Sequence, residues 1–306
     1  MLIGISGYIG SGKDTLGNML RYQMYLKKRE NDKSNFNDNN IMPWEAFARF
    51  PSGEGMPSIG SNTLSGMEIR KFGYALKQIV SILTGATLSQ LEDQEFKKKE
   101  LLAIWNRSVK EAREWLNLRD KDNWLWLNGS TDEQIIKYAN ERNFKWTRTY
   151  REMMQEIGTE VMRNHFVDDI WVNALMGKYN TNILSIDKDG YEHPIYPNWI
   201  ITDMRFPNEA KAIKEAGGLL IRIDGLPRVS NHPSEISLDN YQEFDGRVLN
   251  YYKAVDYTTT FTKEEGMSHF MEYAAYIVNH FKLVEYAGTN IKPSPDSPSG
   301  INRNPQ

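Results

Sequence analysis

The residues with the clearest chemical potential lie in the first fifteen positions. A glycine-rich run, GYIGSGKDT over residues 7–15, follows the apolar residues 2–5 and precedes apolar residues at helical spacing. Its pattern is G-x-x-x-x-G-K, completed by Gly7, Gly12 and Lys13. Glycines let successive backbone N–H groups point at one anion, and a helix N-terminus and a lysine add positive charge. The order strand, loop, helix therefore predicts a phosphate-binding loop for ATP or GTP.

This loop departs from the usual pattern after its lysine. Asp14 stands where a serine or threonine is common, and Thr15 follows one residue later. A plain structural alternative is a tight glycine turn in which Lys13 is an ordinary surface charge. Three glycines, the lysine, a hydroxyl and both flanking elements favour the phosphate site over that alternative.

A second candidate site follows an apolar stretch that ends in an acid. Residues 199–203 predict a strand ending at Asp203, a helix begins at Pro207, and residues 219–223 predict another strand. Such a βαβ unit has parallel strands, whose carboxyl ends are where ligands bind. Asp203, Arg205 and Glu209 could then face the phosphates, with the acid near Mg²⁺ and the arginine offsetting charge. The alternatives are a helix cap for the acid and a surface i, i+4 pair for the other two.

A third candidate is the helix predicted over residues 149–163. Thr149 and Glu152 form a capping-box pattern at its start. One stripe is apolar and predicts a core face, formed by Met153, Met154, Ile157 and Val161. Another stripe is polar and contains Arg151, Gln155 and Thr159, with Gly158 allowing close approach. It could bind a small polar ligand, although a polar face turned to water has the same spacing.

Apolar periodicity, together with stretches rich in residues that interrupt helices and strands, predicts the remaining elements. We expect helices over residues 68–83, 88–118 and 263–284, and a core role for Trp171. Irregular structure is expected over residues 27–40, 41–67 and 286–306, and one short helix within residues 119–143. His232 to Glu235 is expected to form a loop, with a structural histidine.

Composition narrows the class of protein. The chain has 306 residues, 40% of them hydrophobic, which is ample for one large domain with insertions. The net charge of −3 gives no general electrostatic case for nucleic-acid binding. The absence of cysteine excludes disulfides, thiolate metal sites and a cysteine nucleophile. Because no long apolar span or signal peptide is evident, we expect a cytoplasmic protein without membrane contact.

Several separated blocks together resemble one family, the deoxynucleoside monophosphate kinases of tailed phages, a branch of the P-loop nucleoside monophosphate kinases. The blocks are GYIGSGKDT at 7–15, FGYALK at 72–77, TYREMMQEIGTEVMR at 149–163 and ITDMRFPNEA at 201–210. LEDQEFKKK at 91–99 and HPSE at 232–235 are weaker matches. The resemblance spans most of residues 1–235, with insertions at about 27–67 and 104–148.

The resemblance implies roles for individual residues. The ATP phosphates are held by Gly10, Ser11, Gly12, Lys13, Asp14 and Thr15. The acceptor nucleotide is bound by Lys77, Lys98, Arg151, Gln155, Gly158, Thr159, Trp171 and Glu209, with Lys97 as the alternative to Lys98. The catalytic residues are Lys13, Arg151, Asp203 and Arg205. The Mg²⁺ site involves Asp14, Thr15 and Asp203, with Thr15 supplying the hydroxyl.

The resemblance also implies fold and function. We expect a three-layer α/β P-loop fold, with a parallel sheet flanked by helices, in one kinase domain over residues 1–285. The expected reaction is ATP-dependent phosphorylation of deoxynucleoside monophosphates with Mg²⁺, in phage nucleotide metabolism and hence in the host cytoplasm. The expected partner is a small nucleotide; a homodimer is left open. Two alternatives remain: a P-loop kinase of another small metabolite, and a non-catalytic nucleotide-binding structural or regulatory protein.

Overall fold

The chain forms two compact units. The computed structural model describes residues 1–31, 41–49, 65–179, 183–186, 192–225, 231–250 and 263–284. Unit 1 comprises Met1–Tyr74 and Asp169–Gln306, and unit 2 comprises Ala75–Asp168. The predicted C-terminal tail, residues 286–306, lies outside the described residues. Each unit is described separately below.

Unit 1 is built on a parallel sheet. Its strands are β1 (Leu2–Gly7), β2 (Glu68–Arg70), β3 (Ile183–Ile186), β4 (Glu192–Ile195), β5 (Trp199–Met204), β6 (Leu219–Asp224) and β7 (Gly246–Leu249). Five of these form a parallel sheet in the order β2-β5-β1-β6-β7, while β3 and β4 form an antiparallel hairpin. The predicted α/β class is confirmed. The two strands of the predicted βαβ unit, β5 and β6, are parallel and lie on either side of β1.

Helices make up most of the remaining regular structure. Along the chain they are α1 (Lys13–Asn31), α2 (Trp44–Phe47), α3 (Tyr74–Thr84), α4 (Leu88–Glu92), α5 (Val109–Arg119), α6 (Trp124–Gly129), α7 (Asp132–Glu141), α8 (Tyr150–Gln155), α9 (Ile170–Tyr179), α10 (Pro207–Glu215), α11 (Pro233–Ile236) and α12 (Lys263–His280). A π-helix, Glu156–Phe166, continues α8 directly. In the ranges that the structure describes, short 3₁₀ helices span Phe96–Lys98, Ala103–Trp105 and Lys121–Asn123.

The core of unit 1 fixes α1 against the sheet. Buried apolar residues of β1, β6, α1 and α12 form one cluster, which includes Ile5, Leu16, Ile221 and Phe270. Gly17 of α1 lies so close to β5 that a Cβ atom there would stand 2.7 Å from Cγ2 of Thr202. The start of α1 is therefore held next to the carboxyl ends of the central strands.

Unit 2 contains two separate apolar clusters. One joins α3, α4 and α8 through Val80, Leu91, Leu101 and Met153. The other lies within the predicted insertion at 104–148 and joins α5, α6 and α7 through Ala112, Leu116, Leu127, Ile135, Ala139 and Phe144. This insertion therefore has a small core of its own.

The predicted helix over residues 68–83 is wrong in its first part. Residues 68–70 form β2, in which the buried Ile69 lies between two partly exposed residues, the alternation of a strand. Pairing of β2 with β5 outweighs the helical spacing that Ile69 shares with later residues. The helix begins only at Tyr74, after Gly73.

The predicted helix over residues 88–118 is also wrong, because it is interrupted. The side chain of Asp93 accepts a hydrogen bond from the Phe96 N–H and turns the chain after α4. Ser108 then caps α5 through a capping box. In residues 119–143 the structure contains two α-helices, where one was expected, because Thr131 caps α7 separately from α6.

The two predicted irregular segments near the N-terminus contain helix. α1 continues through residues 27–31, where Lys27 pairs with Glu30 one turn later. The short helix α2 lies within residues 41–67, immediately after Pro43. Residues 32–40 and 50–64 lie outside the described residues. The predicted final helix is confirmed as α12, although it ends at His280.

Candidate functional site

The glycine-rich run forms the predicted turn between β1 and α1. Gly10 and Gly12 have φ angles of 78° and 92°, which favour glycine over other residues. A Cβ atom at Gly12 would also stand 2.9 Å from the Phe270 ring. The first N–H groups of α1, from Lys13 onward, have no partner within the helix. This loop therefore presents backbone donors at the positive end of a long helix.

Lys13 is buried within the loop. Its ammonium donates hydrogen bonds to the carbonyl oxygens of Gly7 at 2.7 Å and Tyr8 at 2.8 Å, and the residue is 9% exposed. Burial, and secondarily the charge of Arg205, lowers the pKa of Lys13 to about 7. An anion bound in the loop would restore the electrostatic stabilisation that this lysine loses by desolvation. The structural alternative, an ordinary surface lysine, does not describe this residue.

Two further contacts shape the loop at Ser11. The Asn250 side-chain amide, just after β7, donates to the Ser11 carbonyl oxygen at 2.8 Å. The Ser11 hydroxyl is buried and has no hydrogen-bond partner among the described residues. A buried donor without a partner is costly unless something binds it. The loop thus contains an unused donor suited to a phosphate oxygen.

Asp14 and Thr15 differ in how they are held. Asp14 accepts a hydrogen bond from the Thr202 hydroxyl at 2.5 Å and pairs with Lys71 at 3.2 Å. For the Thr15 hydroxyl, the described part of the chain offers no hydrogen-bond partner. The hydroxyl of Thr15 is therefore available to a metal ion, whereas Asp14 also ties the loop to the ends of β5 and β2.

Asp203, at the end of β5, holds the turn before α3. Its two carboxylate oxygens accept the backbone N–H groups of Phe72 at 2.8 Å and Gly73 at 2.9 Å. The close approach requires a small residue, because a Cβ at Gly73 would lie 3.1 Å from the carboxylate. Asp203 is thus next to the predicted FGYALK block and not a cap of α10.

Arg205 and Glu209 are tied together by the backbone. Glu209 is buried and accepts the N–H groups of Arg205 at 2.7 Å and Phe206 at 3.1 Å, so it caps the start of α10. The Arg205 guanidinium donates to the carboxylate of Glu235 and to the Ser234 carbonyl oxygen at 3.2 Å. The alternative of a surface pair between Arg205 and Glu209 therefore does not describe the guanidinium, which binds residues 234 and 235 instead.

We call residues 10–15, 203, 205 and 235 the phosphate-loop cluster. All of them belong to unit 1. The pKa of Lys13 is influenced by the charges of four other members, Arg205, Glu235, Asp14 and Asp203. The sheet brings them together because β5 and β1 are neighbours whose carboxyl ends coincide. The sequence-based grouping of Lys13, Asp203 and Arg205 thus corresponds to a real cluster.

Residues 77, 98, 151, 155, 158 and 159 belong to unit 2, and we call them the polar cluster of unit 2. Their charged members are paired through side chains: Lys77 with Glu92 at 2.5 Å, and Arg151 with Gln94 at 2.8 Å. Both partners lie in or near α4, within the LEDQEFKKK block. That block therefore contributes the partners of two predicted acceptor-binding residues.

The lysine run at 97–99 contains one buried member. Lys98 is exposed, with 62% of its side chain accessible, and pairs with Glu95 at 2.6 Å. Lys97 is buried. Both remain candidates for acceptor binding, and the structure separates them by burial, which the sequence could not do.

The third predicted helix is confirmed at its start and altered at its end. Thr149 and Glu152 form the predicted capping box. From residue 156 the chain adopts the π-helix, in which each residue turns through a smaller angle than in an α-helix. Val161, predicted to lie in the core, is therefore 53% exposed. Gly158 does allow close approach, because a Cβ there would lie 2.6 Å from Cδ2 of Leu76.

The other predicted acceptor-binding residues differ in accessibility. Thr159 is buried in unit 2, whereas Gln155 is partly exposed. Trp171 lies in α9 of unit 1 and is 5% exposed, in keeping with its predicted core position.

Mg²⁺ needs oxygen ligands and keeps several waters, so one or two protein groups suffice when phosphates supply the others. Thr15, whose hydroxyl has no hydrogen-bond partner among the described residues, fits this requirement, and Asp14 and Asp203 contribute negative charge nearby. Within the described ranges, no group of three or more His, Asp or Glu residues could form a metal site. The helices that the structure describes include none with the length and apolarity needed to cross a membrane.

Sequence reasoning missed three residues of this region. Glu235 accepts the Ile9 N–H at 3.0 Å, Lys71 pairs with Asp14, and Asn250 binds the loop at Ser11. Only Glu235 had a sequence signal, the weak HPSE match at residues 232–235. The loop predicted there is wrong, because the His232 side chain caps the short helix α11. Asn250 lies more than 200 residues from the loop, so no local pattern could have linked them.

Comparison with known proteins assigns the family. The sequence profile of the family described as deoxynucleotide monophosphate kinase matches residues 59–243, which include Asp203 and exclude the phosphate loop. A protein of Acanthamoeba polyphaga mimivirus, named "Putative deoxynucleotide monophosphate kinase", is 31% identical over 126 residues. That match covers 39% of this chain and 65% of the mimivirus protein, which is less than two thirds of the relative. Because the profile matches more than half of the chain, the chain belongs to the deoxynucleotide monophosphate kinase family.

Proposed function

We propose that the protein transfers the γ-phosphoryl group of ATP to a deoxynucleoside 5′-monophosphate, giving the diphosphate and ADP. The observation that carries this proposal is the phosphate loop, with Lys13 buried inside it and with Asp203 and Arg205 at the neighbouring strand end. A phosphate loop alone fits many nucleotide-binding proteins. Membership of the deoxynucleotide monophosphate kinase family supports this particular reaction.

The phosphate-loop cluster supports ATP as the donor. Its cationic groups are Lys13 and Arg205, and its backbone N–H groups lie at the N-terminus of α1. In transfer, negative charge is spread over the oxygens of the moving phosphoryl group, so fixed cations and N–H donors stabilise it. The acceptor phosphate is anionic at neutral pH, so the reaction needs no strong general base. Catalysis then depends on alignment and on offsetting the repulsion between two phosphates.

The polar cluster of unit 2 supports binding of the acceptor monophosphate. Lys77 and Arg151 provide positive charge, while Gln155 and Thr159 provide hydrogen-bonding groups. In the structure these two cations are bound to the side chains of Glu92 and Gln94. We propose that they exchange these partners for the acceptor phosphate, with Lys97 or Lys98 as a further cation. Glu209 lies in unit 1, where it accepts the N–H of Arg205, so it supports the phosphate-loop cluster and not the polar cluster of unit 2.

Thr15, with Asp14 and Asp203 near it, would hold Mg²⁺, which would supply positive charge against the phosphates of the nucleotide. We further propose that the reaction serves nucleotide metabolism in the cytoplasm, in the host cytoplasm if the gene is from a phage.

An assay of ADP release across the deoxy- and ribonucleoside monophosphates tests the proposal. We expect ATP- and Mg²⁺-dependent ADP release with at least one deoxynucleoside monophosphate. Release only with a different small metabolite would identify another kind of P-loop kinase. ATP binding without ADP release on any monophosphate would indicate a non-catalytic nucleotide-binding protein.

A further inference from the structure

Glu235 is a buried carboxylate beside an anion-binding loop. The residue is 5% exposed, in the four-residue helix α11 that His232 caps through its Nδ1 atom. A negative charge in this place opposes phosphate binding, and burying a carboxylate is costly unless it is paired and hydrogen-bonded. Its presence therefore calls for contacts that offset both effects.

Both oxygens of Glu235 have such contacts. Oε2 accepts the N–H of Ile9, inside the glycine-rich run, at 3.0 Å. Oε1 accepts a charge-assisted hydrogen bond from Nη1 of Arg205. One carboxylate thus joins the backbone of the phosphate loop to the guanidinium at the end of β5. The Ser234 carbonyl oxygen, next in the chain, accepts a second hydrogen bond from the same nitrogen at 3.2 Å.

We propose that Glu235 is a positioning residue for phosphoryl transfer, which fixes Ile9 in the loop and holds Arg205 in one orientation. The inference rests on the proposed function, because it assigns Arg205 to the transferring phosphoryl group. Glu235 itself does not touch the nucleotide in this proposal. It also gives the HPSE segment, residues 232–235, a role that the sequence did not reveal.

The substitution Glu235→Gln separates the two contacts. Glutamine keeps an oxygen that can accept the Ile9 N–H, but it removes the charge that holds Arg205. Loss of the partner that orients a metal ligand typically costs activity about 10- to 100-fold, and Glu235 orients Arg205 in a comparable way. We therefore expect kcat to fall by about that factor, while KM for ATP changes by less than about threefold, because the loop keeps its shape.

A double-mutant cycle with Arg205→Ala tests whether Glu235 acts through Arg205. If it does, Glu235→Gln lowers kcat by no more than about twofold in the Arg205→Ala background, because the contact is already lost. Losses that multiply in the double variant would overturn the proposal, as would unchanged kcat in Glu235→Gln alone. Glu243→Gln, an exposed site in the same unit, is the matched control and should keep full activity.

A second measurement does not depend on turnover. The backbone ¹⁵N–¹H signal of Ile9 should move in Glu235→Ala, which removes the acceptor, and stay near its position in Glu235→Gln. An Ile9 signal that is the same in all three proteins would contradict the loop contact. The unaltered protein distinguishes failure of the proposed function from failure of the role of Glu235. If the unaltered protein transfers no phosphoryl group, the proposed function is wrong. If it and Glu235→Gln transfer equally fast, only the role of Glu235 is wrong.

Discussion

The phosphate-loop cluster and the polar cluster of unit 2 are held in different ways. In the first, Lys13, Glu235 and Ser11 are buried, and Lys13 and Glu235 are bound to backbone groups of the loop. In the second, Lys77 and Arg151 are bound to the side chains of Glu92 and Gln94. Backbone contacts are fixed by the fold, whereas side-chain pairs at partly exposed positions can be exchanged.

This difference suggests a division of labour between rigid and exchangeable contacts. The loop is ordered during folding, so in the proposed reaction a nucleotide meets donors that are already oriented. In the proposed reaction, Lys77 and Arg151 leave Glu92 and Gln94 before they bind the acceptor. One partly exposed ion pair and one hydrogen bond to a neutral amide are weak enough to allow this. Changes in the loop should therefore affect catalysis, and changes in unit 2 should affect acceptor affinity.

The largest expected effect is that of Lys13→Ala. Removing one preorganised donor to a developing charge lowers kcat by about 100- to 1,000-fold. The fold should persist, because the substitution removes a buried charge and no apolar contact of the core. Steady-state ADP release measures kcat, and circular dichroism checks the fold. Lys27→Ala, on the exposed side of α1, is the control. Near-normal turnover of Lys13→Ala would show that the loop is not the donor site.

Arg151→Ala should act mainly on the acceptor. Loss of a hydrogen bond to a charged group costs about 1.5–3 kcal/mol, so KM for the monophosphate should rise roughly 10- to 100-fold. KM for ATP should stay within about twofold, because the loop does not depend on this residue. Initial rates with each substrate varied in turn measure both values. Arg142→Ala, which breaks a surface pair with Asp120, is the matched control. An equal rise in both KM values would contradict the division between clusters.

Two glycines distinguish backbone strain from simple crowding. Gly12→Ala forces alanine to a φ of 92°, at a cost of about 1–2 kcal/mol, and places its Cβ against Phe270. Gly158→Ala only crowds Leu76, at a cost of about 1–3 kcal/mol. In urea unfolding, adding Leu76→Val to Gly158→Ala should recover most of the free energy of unfolding that Gly158→Ala loses. Adding Phe270→Leu to Gly12→Ala should leave much of the loss caused by Gly12→Ala in place, since the backbone at residue 12 remains strained. Full recovery at Gly12 would show that crowding alone explains that glycine.

The smallest expected signal is a proton taken up on ATP binding. With its pKa lowered to about 7, Lys13 is mostly neutral at pH 8 and mostly charged at pH 6 in the free protein. Bound phosphate favours the charged form, so binding should take up about 0.9 proton at pH 8 and about 0.1 at pH 6. Calorimetry in two buffers of different ionisation enthalpy measures this number. Lys13→Arg, charged at both pH values, should show no uptake at pH 8. Equal uptake by the two proteins would assign the proton to another group.

Much of the fold could be predicted where the signals are local. The turn from β1 into α1, the capping box of Thr149 and the strands β5 and β6 each depend on residues close together in the chain. Predictions failed where pairing at long range overrides local spacing. The local spacing predicts helix over β2, because β5, with which β2 pairs, lies about 130 residues away in sequence. Val161 likewise fits the α-helical spacing of a core face, but the π-helix places its side chain at the surface.

The sequence by itself determined the conformation of the loop, because its glycines and the helix that follows depend on residues close together in the chain; a phosphate cradle is the role that we propose for it. Only the tertiary structure decided which residues support that cradle. The order of the sheet puts β5 beside β1 and β6 on its other side, and so brings Asp203 and Arg205 to the loop. Glu235 and Asn250 reach the loop from more than 200 residues away, through contacts with Ile9 and Ser11. Such contacts depend on the packing of the whole sheet, which no local pattern records.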